Sequence, residues 1–127
     1  MTVERLNPDG MYVSPAFAQG TVAQGSRTVY VGGQNGIDAD GTLAEGLGPQ
    51  TERALRNVMA VLADAGAEPD DVAKLNIHLV AGTDANEGFA ASQRVWTGAP
   101  TAVTVVFVAG LGLPGALVEV DAIAVVD

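Results

Sequence analysis

The segment PQTERALRNVMAVLADAGAEPDDVAKLNIHLV, residues 49–80, changes its hydrophobic period from that of a helix to that of a strand, and this change indicates the fold class. In its first half, apolar side chains recur at i, i+3, i+4, i+7 and i+10 on one helix face: Leu55, Val58, Met59, Leu62 and Ala65. Gly66 is a typical C-terminal stop for this helix. Residues 74–80 then alternate as a strand does when one of its faces is buried. The sequence therefore predicts a helix packed on a sheet.

Short strands flank this unit on both sides. Residues 17–24 and 28–33 are rich in β-branched and aromatic side chains, and the Gly-Ser between them predicts a hairpin turn. Residues 102–109 and 117–125 are the last two predicted strands. The element order is then β-β-(β)-α-β-α-β-β. It predicts an α+β fold in a single domain, residues 1–127, with both helices on one face of a mixed sheet.

A second, shorter helix is predicted between the two halves of the sheet. It should begin with Thr83 or Asp84 as its N-cap and end near Gly98. Helical spacing predicts that one set of side chains faces inward: Ala85, Phe89, Ser92 and Trp96.

The composition excludes several classes of function. The sequence has no cysteine, which excludes disulfides, thiolate metal sites and a cysteine nucleophile. Its formal net charge of −9 and its scattered arginines argue against a nucleic-acid partner. No apolar stretch has the length of a membrane span, and residues 1–10 do not resemble a signal peptide, so we expect a cytoplasmic protein without a membrane partner. No motif predicts a cofactor or a metal site.

An uncharged run, TAVTVVFVAGL at residues 101–111, does not alternate as a strand with one wet face should. Either both faces of this strand are covered within one subunit, or another subunit covers one of them. A chain of 127 residues has few elements to supply a further layer, and an exposed run of Val and Phe would aggregate. We therefore favour self-association.

Three separated motifs resemble the RidA family, also called YjgF or L-PSP. They are VYVGGQNGIDADGTL at residues 29–43, the segment at residues 50–80, and LPGALVEVDAIAVV at residues 113–126. The resemblance extends from about Asn7 to the C-terminus. It implies a chorismate-mutase-like fold and a homotrimer whose sheets form a central barrel, with three small-molecule pockets at the subunit interfaces.

The resemblance also implies an activity, the hydrolysis of reactive enamines and imines such as 2-aminoacrylate. In the family, the arginine of a Pro-Ala-Arg motif holds the substrate carboxylate. Alignment of the shared Val-Ala-x-Leu segment places Thr101, Ala102 and Val103 on that motif. Val103 has no donor, whereas a charged hydrogen bond contributes about 1.5–3 kcal/mol. We therefore expect 2-imino acid deaminase activity to be weak or absent, and the ligand to be different or uncharged.

The other pocket positions of the family also map onto this sequence. Its pocket carboxylate falls on Glu119, the predicted catalytic residue, which would orient water. Its serine falls on Gly32, its tyrosine on Phe17 and its asparagine on Gln93, so the hydroxyl groups are lost. The predicted substrate-binding set is completed by two glycines and by the residue at the arginine position: Gly33, Gly110 and Val103.

Two further side chains could belong to the site. Arg94, beside Gln93, could replace the missing guanidinium, although its position is more typical of a solvent-exposed helix residue. His78 is the only histidine, and no Cys, His or carboxylate lies near it at ligand spacing. That pattern is more typical of a structural histidine than of a base or a metal ligand.

Two kinds of function remain open. The first is an enamine or imine hydrolase, or a hydrolase of a related small electrophile, with Glu119 as the catalytic residue. The second is a non-catalytic ligand-binding or chaperone-like module, which the loss of the arginine and of the hydroxyl groups favours. Some family names refer to an endoribonuclease activity. Of the functions considered, this activity agrees least with the net negative charge of the chain.

Overall fold

The computed structural model describes residues 3–127 and confirms the α+β prediction, with two helices and a mixed sheet. The elements follow in this order: β1 (Val3–Leu6), β2 (Gly20–Ala23), β3 (Arg27–Gln34), α1 (Leu47–Asp64), β4 (Val72–Val80), α2 (Ala85–Val95), β5 (Ala102–Val108) and β6 (Val118–Val126). A turn of 3-10 helix, Pro69–Asp71, precedes β4.

Four strands form the main sheet, in the order β3-β6-β4-β5. β6 is antiparallel to both of its neighbours, whereas β4 and β5 are parallel. β1 and β2 form a separate two-stranded sheet. Because β6 lies inside the main sheet, its alternate residues are buried beneath the helices: Val118, Val120, Ala122, Ala124 and Val126.

α1 covers the main sheet with the apolar face that its period predicts. Leu55, Val58 and Leu62 are buried in the core. The helix ends where Gly66 adopts a φ of +76°, a conformation that favours glycine. The Ala67 amide then donates to the Leu62 carbonyl at 2.8 Å and closes the last turn.

A buried glutamine of α1 holds the loop between β5 and β6. Gln50 Nε2 donates to the Gly115 carbonyl at 3.2 Å, and Gln50 Oε1 accepts from the Leu117 amide at 2.8 Å. Both ends of the buried amide therefore have partners, which removes the penalty for burying it. The loop delivers β6 to a fixed position beneath α1.

The Asn35–Gly36 pair lies tightly between α1 and β6. Asn35 Nδ2 donates to the Val118 carbonyl at 3.1 Å, and the Asn35 carbonyl accepts from Asn57 Nδ2 at 3.2 Å. A Cβ at position 36 would lie 2.5 Å from the Cα of Gln50, which is closer than side chains approach a backbone. This position therefore requires glycine.

The predicted hairpin between residues 17–24 and 28–33 is wrong. β2 pairs with β1, and β3 pairs with β6. A Cβ at Gly25 would lie 2.6 Å from Val125 Cγ1, so the connection between β2 and β3 packs against the end of β6. The chain continues along the sheet there instead of reversing in a tight turn.

α2 begins at the predicted N-cap, Asp84, whose carboxylate accepts a backbone amide of the first turn. Its buried side includes the small residues Gly88 and Ala91, which let it pack closely on α1. Of the predicted inward face, Ala85 and Trp96 pack against the core, whereas Phe89 is 52% exposed. The helix also ends earlier than the sequence predicts.

Leu62→Ala should lower the free energy of unfolding by about 2–5 kcal/mol, because the lost side chain is fully buried and leaves a cavity. Val61→Ala is the matched control. Val61 is the preceding residue of α1 and is 38% exposed, so its truncation should cost less than about 1 kcal/mol. Urea unfolding at one protein concentration measures both values. Equal losses would contradict the assigned buried face of α1.

Candidate functional site

A cavity of about 450 Å³ opens between α2 and the strands β4 and β5. It exists because α2 packs mainly on α1 and leaves the edge of the main sheet partly uncovered. Leu75, Ile77 and Val103 line the cavity from the strands, and Phe89 and Trp96 line it from the region of α2. We call this space the α2 cavity. Its volume is typical of a site for a small molecule.

The hydroxyl groups that line the α2 cavity are satisfied within the protein. The hydroxyl groups of Thr51, Ser92 and Thr101 each donate to a backbone carbonyl at 2.6–2.8 Å. No Lys, Arg, Asp or Glu is found among the described residues that line the cavity. The cavity therefore offers mainly apolar surface, together with the side-chain amides of Asn86 and Gln93, which suits an uncharged ligand.

Arg94 does not occupy the place of the missing arginine. Its Nη2 lies 3.1 Å from Glu52 Oε2 on α1, and it is not a lining residue of the α2 cavity. Glu52 also lies near Arg56, at 3.9 Å, so its carboxylate faces two guanidinium groups. Arg94 thus links the two helices on the protein surface.

Three of the sequence-predicted site residues meet in the α2 cavity: Phe17, Gln93 and Val103. Val103 lies opposite Leu75 in the parallel pairing of β5 with β4. Since Leu75 is buried beneath the helices, Val103 is on the helix-covered side of the main sheet. We call these three residues the cavity group.

Glu119 lies on the other side of the main sheet. Its neighbours Val118 and Val120 are buried beneath the helices, so alternation turns Glu119 away from them. A Cβ at Gly33 would lie 2.6 Å from Glu119 Cδ, which places the carboxylate directly over that glycine. We call Glu119 and Gly33, with the exposed Gly32 next to them, the Glu119 group.

Gly110 joins neither group. It follows β5 in an exposed loop, and a Cβ there would meet no atom within 4 Å. Within one chain, the predicted site residues are therefore divided between two sides of the sheet.

Sequence reasoning missed a polar cluster on the side of the main sheet that faces away from the helices. We call this side the open sheet face. Asn76 Nδ2 donates to Asp121 Oδ1 at 2.8 Å, and His78 Nδ1 lies 4.0 Å from Asp121 Oδ2. His78 is also paired with Glu119 across β4 and β6. The signal in the sequence was the shared phase of the polar residues in KLNIHLV and LVEVDAI.

β5 is exposed on both of its faces. Val105 and Phe107 are 49% and 54% exposed on the helix side, and Val106 is 40% exposed on the open sheet face. β5 also lies at one edge of the main sheet, where strands present unpaired backbone groups. The uncharged run of the sequence is thus an apolar surface of the isolated chain.

Asp38 and Asp40 shape the turn that follows β3. Asp38 Oδ1 accepts from the Asp40 and Thr42 amides at 3.2 and 3.1 Å, and Gly41 has a φ of +86°. Hydrogen bonds with the side chain of Asp38 and with Thr42 hold the pKa of Asp40 below its ordinary value.

Among residues 3–127, no cluster of three or more His, Cys, Asp or Glu could hold a metal ion. No helix in the same range has the length and apolar character of a membrane span.

The comparison with family models identifies the chain. The model described as Endoribonuclease L-PSP matches residues 4–126. The chain belongs to the RidA/YjgF family, also called L-PSP. This match confirms the family resemblance of the three sequence motifs, and it agrees with the two helices and mixed sheet of the structure.

Solved structures of the RidA/YjgF family have the same fold. The Rid-family protein YyfB from Yersinia pestis, described as of unknown function, is 32% identical, with a TM-score of 0.88 over 98% of this chain and 99% of that chain. RidA from the Antarctic bacterium Psychrobacter sp. is 27% identical, with a TM-score of 0.73 over 98% of each chain. The YjgF product of E. coli is 23% identical, with a TM-score of 0.73 over 93% of this chain and 90% of that chain, and shares the fold. Comparison with curated protein sequences gives no significant match.

Gly33→Ala should displace the Glu119 carboxylate, because the new Cβ would lie 2.6 Å from Glu119 Cδ at the flexible end of that side chain. The free energy of unfolding should stay within about 1 kcal/mol of the unsubstituted protein. Gly32→Ala is the matched control, since a Cβ there meets no atom within 4 Å. Crystal structures and thermal unfolding of both variants test this. If the Glu119 carboxylate does not move in Gly33→Ala, residue 33 does not determine the position of that carboxylate.

Proposed function

We propose that this RidA/YjgF-family chain forms a homotrimer with small-molecule pockets between its subunits. Each pocket would combine the cavity group of one subunit with the Glu119 group of the next. The observation that carries this proposal is the division of the site residues between two sides of one sheet. Two half-sites that cannot meet within a chain can meet across an interface. The exposed surface of β5 supplies apolar area for such an interface.

The ligand of this pocket would be a small uncharged molecule. Val103 stands at the position of the family's carboxylate-binding arginine, and Arg94 is held by Glu52. A ligand carboxylate in the α2 cavity would lose its hydration without gaining a charged donor, which costs several kcal/mol. Apolar side chains of the cavity instead favour a ligand with a small hydrocarbon part.

The reaction that fits the pocket is hydrolysis of a reactive enamine or imine, or of a related small electrophile. Glu119 is half-buried above Gly33, where its carboxylate can orient the attacking water and accept a proton during the reaction. The hydroxyl groups that other members of the family place nearby are absent here, as the residues at positions 17 and 32 are Phe and Gly. A non-catalytic binding module is the alternative, and the assay below separates the two.

Cleavage of RNA has less support. The family model carries the description Endoribonuclease L-PSP, but this chain has fifteen acidic and six basic residues. RNA-binding proteins attract phosphate groups with clustered Lys and Arg. In this chain Arg94 is already paired with a carboxylate.

The substrate assay compares 2-aminoacrylate with its uncharged methyl ester, both generated in situ, by release of ammonia. The unsubstituted protein should hydrolyse the ester faster than the acid, and Glu119→Gln should abolish both activities. Val103→Arg should raise kcat/KM for the acid by about 10–100-fold, since a charged hydrogen bond contributes about 1.5–3 kcal/mol. Val103→Met controls for side-chain size and should give no such gain. If no variant exceeds the uncatalysed rate, the binding module is the correct function.

Sedimentation equilibrium should give a mass three times that of the chain. Val106 lies on the open sheet face, within the β5 surface that we assign to the interface. Val106→Lys places a charge there and should lower the association constant of the trimer at least tenfold. Val61→Lys is the control on the outer side of α1, where a similarly exposed valine is changed. A monomer, or equal effects of the two substitutions, would contradict the proposed assembly.

A further inference from the structure

His78 is placed differently from the isolated structural histidine that its sequence context suggests. It lies in β4, next to two acidic residues of β6. Glu119 is directly opposite His78, and Asp121 is diagonal to it. Cross-strand neighbours in an antiparallel pair have Cβ atoms about 4.5–5.5 Å apart, so the side chains of His78 and Glu119 share one patch of the open sheet face. The imidazole is therefore within reach of any ligand that Glu119 contacts.

The two nitrogens of the His78 ring have different surroundings. Nδ1 is buried, has no hydrogen-bond partner among residues 3–127, and faces Asp121 Oδ2 at 4.0 Å. The side chain as a whole is 30% exposed, so solvent reaches the part of the ring away from Nδ1. A buried polar atom without a partner costs about 1–3 kcal/mol, and a shift of about 1 Å toward Asp121 would remove that cost.

The carboxylate of Asp121 is itself held in place. Its Oδ1 accepts from Asn76 Nδ2 at 2.8 Å, which leaves Oδ2 turned toward the histidine ring. In a neutral histidine whose Nδ1–H donates to an oriented carboxylate, Nε2 carries the lone pair and can accept a proton. A chain of contacts thus runs from Asn76 through Asp121 to His78, and it ends at an accessible ring nitrogen.

We propose that His78 is a proton-transfer residue of the Glu119 site. Asp121 acts as a positioning residue that holds the Nδ1–H tautomer of the ring, and Nε2 faces the ligand. The catalytic part of this inference rests on the proposed hydrolysis. The tautomer is a property of this chain that can be measured without any substrate.

The proposed reaction starts from a neutral imine and one water molecule. Nε2 of His78 takes a proton from water as the water oxygen bonds to the imine carbon, and the π electrons move to nitrogen. The imidazolium then returns this proton to the nitrogen of the adduct. Glu119 then accepts the hydroxyl proton of the adduct and passes it to the amine nitrogen. The C–N bond breaks with its electron pair on the departing ammonia, and the carbonyl product forms. Water is the only co-reactant.

The tautomer is tested by ¹⁵N NMR of the ring in alkaline buffer, where the imidazole is neutral. His78 is the only histidine, so its two ring signals need no further assignment. The unsubstituted protein should carry the proton on Nδ1. Asp121→Asn should move it to Nε2, because the amide NH₂ then faces Nδ1. Thr104→Val, which removes a contact with Lys74 on the same face, should leave the tautomer unchanged. A proton on Nε2 in the unsubstituted protein would overturn the role of Asp121.

The catalytic role is tested by ammonia release from the methyl ester substrate. His78→Ala should lower kcat by about 10²–10⁴-fold with little change in KM, and added imidazole should restore part of the rate. Val61→Ala, on the outer side of α1, should retain the full rate. If Glu119-dependent hydrolysis persists in His78→Ala, His78 is not the proton carrier, although the proposed function stands. If the unsubstituted protein does not hydrolyse the ester, the proposed function and the catalytic role both fail, and the NMR result still decides whether Asp121 positions the ring.

Discussion

The position of β6 determines both the core and the site. This strand is hydrogen-bonded to β3 on one side and to β4 on the other, and its alternation turns Val118 and Val120 toward the helices. The same alternation turns Glu119 and Asp121 toward the open sheet face. A slip of one residue would bury carboxylates and expose valines, which the core does not tolerate. Packing of the core therefore fixes which side of the sheet Glu119 and Asp121 face.

The small residues of α2 have two linked effects. Gly88 and Ala91 bring α2 close to α1, and this contact draws the helix away from the edge of the main sheet. The space left behind is the α2 cavity, with Val103 on its strand side. The same uncovered edge leaves Val105 and Phe107 exposed. The cavity and the exposed helix side of β5 thus have a single cause in the packing of two helices.

The sequence predicts the elements whose side chains meet the core. α1, β4 and β6 are recognisable because burial selects apolar residues at helical or strand spacing. β1 is not recognisable, since its four residues, VERL, include two charges and their strand conformation depends on pairing with β2. Alignment locates Val103 and Glu119, but only the strand register reveals that they lie on opposite sides of the sheet. The proximity of His78 to Asp121 also depends on that register, because the two residues are far apart in the sequence.

The Asn35–Gly36 pair has a consequence for chemical ageing. At an asparagine followed by glycine, the side-chain amide can close onto the next backbone nitrogen, lose ammonia and hydrolyse to aspartate or isoaspartate. Closure needs Asn35 Cγ to approach the Gly36 nitrogen, yet the Asn35 amide holds the Val118 carbonyl and Gly36 is packed against Gln50. The reaction therefore has to wait until this segment detaches from α1 and β6. Each event adds one negative charge to the chain, so the fraction of deamidated molecules is a lasting record of local opening.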